Sequence, residues 1–200
     1  MITARPLPSS RPARPRVQAL PLASFVERLR TACDPPSPAA VEDVLARFRP
    51  SAGALAPHVR FQDDRYARVR LHRSQAFELL LLAWEPGQAT PIHDHDGQAG
   101  WFTVLEGRLS VQEFERDGGP ADLRDLVADA ETEAGRITLR PGLTYVVDAG
   151  RTVPEAGAPE TIHRVGASGR RAVSLHLYAG PLDSLVIFDE QRGTARRVSP

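Results

Sequence analysis

The sequence predicts a mainly β protein, built as a barrel or a sandwich and preceded by two short helices. Beyond His58, apolar and polar residues alternate with the period of a strand, whereas helical spacing is confined to the residues before it. The strand-like segments, about ten in number, are short and are separated by turn residues, which is typical of closed or stacked sheets. We expect one domain over residues 18–200, because no internal repeat is evident.

Composition limits the function classes. The 25 basic and 25 acidic residues balance, so net charge gives no reason to expect nucleic acid or a membrane as a partner. Cys33 is the only cysteine, which excludes an intramolecular disulfide and a thiolate-rich metal site. No long apolar run and no signal-peptide core after Met1 is evident. We therefore expect a cytoplasmic protein, as a monomer or a weak homo-oligomer.

The N-terminal part predicts an arm and two helices. Residues 1–17 are rich in proline and arginine, which indicates a disordered arm. Ser24 and Glu27 form a capping-box pattern for a first helix that ends near Cys33. Ser37 and the proline after it have the pattern of an N-cap and first turn, so a second helix is expected to end before Pro50.

The strands are predicted in order from their periodicity. Residues 66–72 alternate strictly, and 76–84 form an apolar run typical of a strand buried on both faces. Residues 101–105 and 109–114 read as a hairpin, and the acidic stretch 117–135 as an exposed excursion with some strand at 123–127. We expect residues 148–160 to form a surface loop. The remaining predicted strands are 137–139, 144–147, 161–165, 172–178, 185–188 and 195–198.

Two histidines between glycine turns form the first candidate site. His93 and His95 alternate with Asp94, so in an extended segment both imidazoles lie on one face and can reach one metal ion. The same letters, HDHDG, also suit an ordinary surface turn. A third ligand decides between the two interpretations, and His163 in the segment TIHRV is the candidate.

The frame around these histidines resembles the cupin fold, a double-stranded β-helix or jelly-roll barrel. Gly87 precedes His93 by the interval of the first cupin signature, and Gly107 closes that signature at the expected distance. Gly100 stands where most cupins have a glutamate ligand. The resemblance therefore implies a metal site of three histidines. Three imidazoles leave open coordination positions, as in catalytic sites, and they suit iron as well as zinc.

A second polar group lies on one predicted strand, AVSLHLY. Ser174, His176 and Tyr178 alternate with apolar residues, so they share one face of the strand. This face is either a solvent face or a relay in which Ser174 fixes the ring of His176 and His176 orients the Tyr178 hydroxyl. We favour the relay.

Together, the motifs YAR, PIHDH, VLEG, IHRV and SLHLY resemble the cysteine dioxygenase family, the thiol dioxygenase branch of the cupins. The resemblance implies Fe(II) on His93, His95 and His163, with substrate thiolate and amine bound to the iron and O2 at the remaining position. It implies that Arg68 grips the substrate carboxylate and that Tyr66 assists, which suits the planar guanidinium. The implied reaction converts L-cysteine to cysteine sulfinic acid.

Departures from the family leave alternatives open. Gly100 also replaces the cysteine that some relatives join to the tyrosine, so Tyr178 is expected to be a free phenol, and the space at Gly100 to hold water, a neighbouring side chain or substrate. Related enzymes for 3-mercaptopropionate have glutamine where this chain has Arg68, which favours cysteine. The alternatives are a dioxygenase for 3-mercaptopropionate or another small thiol, a non-catalytic metal- or ligand-binding cupin, and a zinc hydrolase.

Overall fold

Two antiparallel sheets pack face to face in the computed structural model, which describes residues 17–34, 37–128, 130–132, 135–155 and 161–199. The predicted arm lies outside the described residues except for Val17. The strands beyond the helical region are β3 Ala67–Arg73, β4 Phe77–Trp84, β5 Ile92–Asp94, β6 Gly100–Glu106, β7 Arg108–Gly118, β8 Ile137–Asp148, β9 Thr152–Glu155, β10 Ile162–Ala167, β11 Ala172–Ala179, β12 Leu185–Asp189 and β13 Thr194–Val198. This mainly β architecture confirms the predicted fold class.

The N-terminal region covers the outside of one sheet. It contains β1 Gln18–Leu20, α1 Leu22–Cys33, α2 Pro38–Arg47, β2 Phe48–Pro50 and α3 Ala52–Leu55. β1 and β2 form a small parallel pair that the sequence did not predict. Within the described ranges, no helix has both the length and the apolar character needed to cross a membrane.

The two predicted helices are present. The N-cap of α2 was predicted correctly, but that of α1 was not. Ser37 caps α2 as expected, because its hydroxyl accepts a hydrogen bond from the Ala40 backbone at 3.4 Å. The capping box at Ser24 was wrong, because Pro21 is the N-cap of α1 and Ser24 lies inside the helix. Cys33 is completely buried at the end of α1, and burial raises the pKa of its thiol to about 11, so it is unreactive.

Strand order places the site between the sheets. One sheet has the order β13-β12-β5-β10-β7-β8, and the other β3-β4-β11-β6-β9. In β4, Leu79 and Leu81 pack with the helices, whereas Leu80 and Leu82 face the interior between the sheets. This burial on both faces explains the unbroken apolar run of the strand, because the side chains on each face are removed from water.

Two predicted strands are in fact one. The sequence predicted separate strands at 137–139 and 144–147, with the turn-forming pair Pro141 and Gly142 between them. Instead, β8 runs through both residues, with a register shift against β7 between Gln112 and Phe114. Pro141 is tolerated because β8 lies at the edge of its sheet, where a missing backbone N–H need not break the ladder. The bulge absorbs the irregularity.

Two further expectations fail. The strand expected at residues 123–127 is a short 3-10 helix, Leu123–Asp125, in which Asp122 caps the Arg124 backbone N–H at 2.9 Å. The surface loop expected over residues 148–160 contains β9, which pairs with β6 and ends at the buried Glu155. Residues 156–160 lie outside the described part of the chain.

Candidate metal centre and active site

Two neighbouring strands, β5 and β10, bring the candidate ligands together. His93 lies in β5 directly opposite His163 in β10, and His95 follows β5 by one residue. The Nε2 atom of His93 lies 3.2 Å from that of His95 and 3.3 Å from that of His163. All three residues are buried, and their donor atoms lie within 4.8 Å of one another.

Asp94 holds the segments that carry these histidines. Its Oδ1 accepts a hydrogen bond from the Asp96 backbone N–H at 2.6 Å, and its Oδ2 accepts one from Thr161 at 3.2 Å. The carboxylate therefore points away from the imidazoles, as the alternation of side chains along a strand requires. It joins the turn after His95 to the start of β10.

The protonation of the imidazoles suits a metal ion. His93 donates its Nδ1–H to the Pro91 carbonyl at 3.1 Å, which leaves the Nε2 lone pair directed at the other two rings. Burial lowers the pKa of His93 to about 4 and lowers those of His95 and His163 as well, so all three are neutral at neutral pH. Nitrogen ligands at right angles, each about 2.1 Å from a metal, would lie about 3 Å apart, close to the spacings observed. The three residues fit a divalent metal.

A cavity of about 270 Å³ opens beside the histidines. Its wall includes apolar residues from β4, β10 and β12, and polar side chains converge on it from several strands. Those that concern the chemistry are Tyr66, Arg68, His93, His95, Glu155, His176 and Tyr178. The volume suits a small ligand, and polar groups among apolar walls can fix its orientation.

Arg68 is the cationic group of this wall. It lies in β3 opposite Leu82, and its side chain is 28% exposed. Its guanidinium lies 4.0 Å from the fully buried carboxylate of Glu78, which also pairs with Arg70 at 3.0 Å and Arg73 at 2.8 Å. Three arginines on one carboxylate leave Arg68 with spare donors for an anionic ligand.

His176 and Tyr178 of β11 line the cavity, while the apolar residues that alternate with them pack with the helices. Ser174 Oγ lies 2.9 Å from His176 Nε2 and accepts a hydrogen bond from Trp84 Nε1 at 2.9 Å, so Ser174 fixes the His176 ring. The second link of the predicted relay is absent, because no hydrogen bond joins His176 to Tyr178 among the described side chains. The sequence did not indicate that Trp84 holds Ser174.

Burial controls the protonation of the other two polar groups. It lowers the pKa of His176 to about 3, so this imidazole stays neutral. Burial, together with the nearby Glu155, raises the pKa of Tyr178 well above its usual value. Tyr178 therefore keeps its phenolic proton at neutral pH and can donate a hydrogen bond into the cavity.

Glu155 is the cavity residue that sequence reasoning missed. It lies at the end of β9 opposite Gly100, and its Oε1 is 3.7 Å from His163 Nε2. Burial raises the pKa of its carboxyl to about 8, and Oε2 has no hydrogen-bond partner. The available signal was weak: a β-branched pair, Thr152-Val153, precedes the glutamate within a stretch otherwise rich in glycine and proline.

Gly100 has no side chain, and Glu155 and Tyr178 occupy the space beside it. A Cβ atom at Gly100 would lie 3.0 Å from Tyr178 Cδ1 and 3.2 Å from Glu155 Oε2. Of the three expected occupants of this space, the structure therefore places neighbouring side chains there. Cys33 packs among the helices and not beside Tyr178, which leaves the phenol without a thioether partner.

The pH dependence of stability tests the burial of His176. Its imidazole has a pKa of about 3 in the folded chain and about 6.5 when unfolded, so between these values the unfolded chain binds more protons. Lowering the pH from 6 to 5 should reduce the free energy of unfolding of the metal-free protein by about 1 kcal/mol more than that of His176→Gln. Urea unfolding at both pH values checks this. Equal losses in the two proteins would contradict it.

These features define a class. Three buried histidines on and beside two neighbouring β-strands, next to a cavity with an arginine and a phenol, form the metal centre of a cupin enzyme.

Comparisons with known proteins define the family. A family model described as cysteine dioxygenase type I matches residues 34–191. The chain is 27% identical over 163 residues to cysteine dioxygenase type 1 of Rattus norvegicus, covering 80% of this chain and 73% of the relative. It is 25% identical over 162 residues to that of Homo sapiens, with the same coverage. The chain belongs to the cysteine dioxygenase type I family, and it is an iron-dependent thiol dioxygenase.

Solved structures resemble the chain more distantly. A conserved protein with a double-stranded β-helix domain from Klebsiella pneumoniae has a TM-score of 0.47 at 15% identity, covering 68% of this chain and 94% of that one. TT1209 from Thermus thermophilus has a TM-score of 0.44 at 20% identity, covering 63% and 93%.

Gly100→Ala tests the tight packing at the centre. The added methyl group would press on Tyr178 and Glu155, so we expect kcat to fall about 10-fold or more while iron content is retained. Gly53→Ala is the matched control, because nothing lies within 4 Å of its added Cβ. Steady-state oxygen uptake with iron analysis checks both variants. Full activity of Gly100→Ala would show that the position of Tyr178 and Glu155 is unimportant.

Proposed function

We propose that this chain oxidises L-cysteine to cysteine sulfinic acid, using Fe(II) held by His93, His95 and His163. Both atoms of O2 enter the sulfur of the thiol, so a thiol and one O2 account for every atom of the sulfinic acid. When bound at the three histidines, Fe(II) supplies the redox chemistry and open coordination positions that O2 activation needs. The observation that favours cysteine is Arg68, which faces the same cavity as the histidines and stands where related enzymes for 3-mercaptopropionate have glutamine.

Arg68 binds the substrate carboxylate in this proposal. The guanidinium is permanently charged and presents a planar set of donors that matches a carboxylate. The fully buried carboxylate of Glu78 lies 4.0 Å from the Arg68 guanidinium and orients it by an ion pair. Tyr66 supports the same wall of the cavity, because its ring stacks on Trp84 at 4.5 Å between centroids. The carboxylate end of the substrate is thereby fixed.

Tyr178, His176 and Ser174 act on the reacting end. Tyr178 keeps its proton and donates a hydrogen bond into the cavity, close to His95, whose ring centroid is 5.1 Å from its own. The neutral imidazole of His176 lines the cavity beside Tyr178. It stacks on Phe102 and is hydrogen-bonded to Ser174. These groups exclude water and orient the sulfur, and they require no proton transfer through a chain of side chains.

Oxygen uptake by the iron-loaded protein with a panel of small thiols tests the proposal. We expect kcat/KM for L-cysteine to exceed that for 3-mercaptopropionate by about 10-fold or more, because the cavity has a guanidinium for the carboxylate and the unpaired Glu155 oxygen for the amino group. Cysteamine, which lacks the carboxylate, should also be poor. A higher kcat/KM with 3-mercaptopropionate would reject L-cysteine as the substrate, and no uptake with any thiol would reject the catalytic role.

A further inference from the structure

A row of residues across the five-stranded sheet explains where Glu155 lies. In this row Glu155 of β9 is paired with Gly100 of β6, Gly100 with Tyr178 of β11, and Tyr178 with Glu78 of β4. Adjacent strands lie about 4.8 Å apart, so a side chain at Gly100 would separate Glu155 from Tyr178. Because Gly100 has none, the Glu155 carboxylate extends into the cavity beside the metal ligands.

The Glu155 carboxylate has no partner among the described side chains that satisfies it. The side chain is 3% exposed, and its Oε2 accepts no hydrogen bond. Its Oε1 contacts His163 Nε2 at 3.7 Å, but that nitrogen is a metal ligand and carries no proton when it binds a metal. A buried carboxylate oxygen left in this way is costly unless a ligand supplies a donor or a positive charge.

The position of Glu155 indicates that its carboxyl group binds the substrate and not the metal ion. The histidine donor atoms lie within 4.8 Å of one another, and no Glu155 oxygen belongs to that group. Glu155 and Arg68 come from β9 and β3, the opposite edges of the same sheet, and both line the cavity. A cavity with a guanidinium at one side and an unpaired oxygen acceptor at the other matches a small molecule that has a carboxylate at one end and an N–H donor at the other.

We propose that Glu155 recognises the amino group of an aminothiol substrate, accepting a hydrogen bond from its nitrogen while Arg68 holds the carboxylate. This inference rests on the proposed function and makes Glu155 a specificity-determining residue. An aminothiol acid satisfies both the Arg68 guanidinium and the unpaired Glu155 oxygen. A thiol acid without the amine, such as 3-mercaptopropionate, leaves the buried Glu155 oxygen unpaired, and sites built to hydrogen-bond a polar group discriminate strongly against an analogue that lacks it.

Anaerobic calorimetry with the iron-loaded protein tests the inference without turnover. L-Cysteine and 3-mercaptopropionate are titrated into the wild type, Glu155→Gln, Glu155→Ala and the control Glu106→Gln, which changes an exposed glutamate at the far end of β6. We expect Glu155→Gln to weaken L-cysteine binding by about 10-fold or more and to change 3-mercaptopropionate binding by less than about 3-fold. Glu155→Ala should behave similarly, and Glu106→Gln like the wild type.

Several outcomes would overturn the inference. It fails if both thiols lose affinity equally in Glu155→Gln, or if neither does. It also fails if Glu155→Gln retains less than half of the iron that the wild type holds, because the carboxylate would then be a metal ligand. Since binding is measured without O2, the proposed function is tested separately: a protein that binds L-cysteine through Glu155 but forms no sulfinate would reject the function and keep the inference.

Discussion

His163→Ala should bind iron at least about 100-fold more weakly than the wild type and should consume no measurable oxygen with L-cysteine. The imidazole of His163 is one of three donors, and its Nε2 lies 3.3 Å from that of His93. Without it, two histidines remain on a short strand and the turn after it, and the metal loses the ligand that joins β10 to β5. Iron competition with a chromophoric chelator, together with oxygen uptake, measures the effect.

His58→Ala is the control for this variant. His58 lies in the short 3-10 helix Ala56–His58, away from the cavity, so its loss should leave iron affinity and turnover unchanged. Circular dichroism should show that both variants keep the β-sheet structure. Retention of iron and turnover by His163→Ala would refute the assignment of His163 as a ligand.

Arg68→Gln should raise KM for L-cysteine by about 10- to 100-fold, since a charge-assisted pair with the substrate carboxylate contributes about 1.5–3 kcal/mol. Cysteamine provides a sharper test because it has no carboxylate. Its KM should be nearly the same in the wild type and Arg68→Gln, so that the effects of removing the guanidinium and the carboxylate are not additive. Steady-state oxygen uptake with both thiols gives the four values needed.

Arg70→Gln is the matched control for Arg68. Both arginines lie in β3 and both contact the buried Glu78, but Arg70 is 52% exposed and does not line the cavity. Any general effect of weakening the Glu78 cluster should therefore appear in both variants, and the effect on substrate only in Arg68→Gln. A similar rise of KM with cysteamine in Arg68→Gln would show that Arg68 does not act on the carboxylate.

The sequence predicted best where a local pattern matched the environment. The alternation along β11 placed Ser174, His176 and Tyr178 on one face, and the apolar run of β4 indicated burial on both faces. The histidine pair with a glycine frame indicated a metal site, and the third histidine lies directly opposite His93 in the structure. These patterns are short in range, so they can be recognised without the fold.

It predicted worst where pairing with a distant strand decides the structure. Proline and glycine at 141–142 indicated a turn, yet the edge position and a bulge allow one continuous β8. β9 is four residues long and pairs with β6, about fifty residues earlier, so nothing local marks it. Glu155 could not be assigned for the same reason, because its role depends on that register and on the missing side chain at Gly100.

Some expectations stay predictions. They are the single domain over 18–200, the cytoplasmic location, the monomeric or weakly associated state and the individual roles of the site residues. The family implies a thiol and O2 as reactants, and the described structure supplies the cavity for them.

In the proposed reaction, both atoms of one O2 molecule enter the sulfur of L-cysteine. A single turnover of the Fe(II)-loaded protein with L-cysteine under oxygen gas of the heavy isotope, followed by mass spectrometry of the product, tests it most directly. We predict cysteine sulfinic acid that carries two labelled oxygen atoms. A product with one labelled atom, or cystine as the sole product, would contradict the claim.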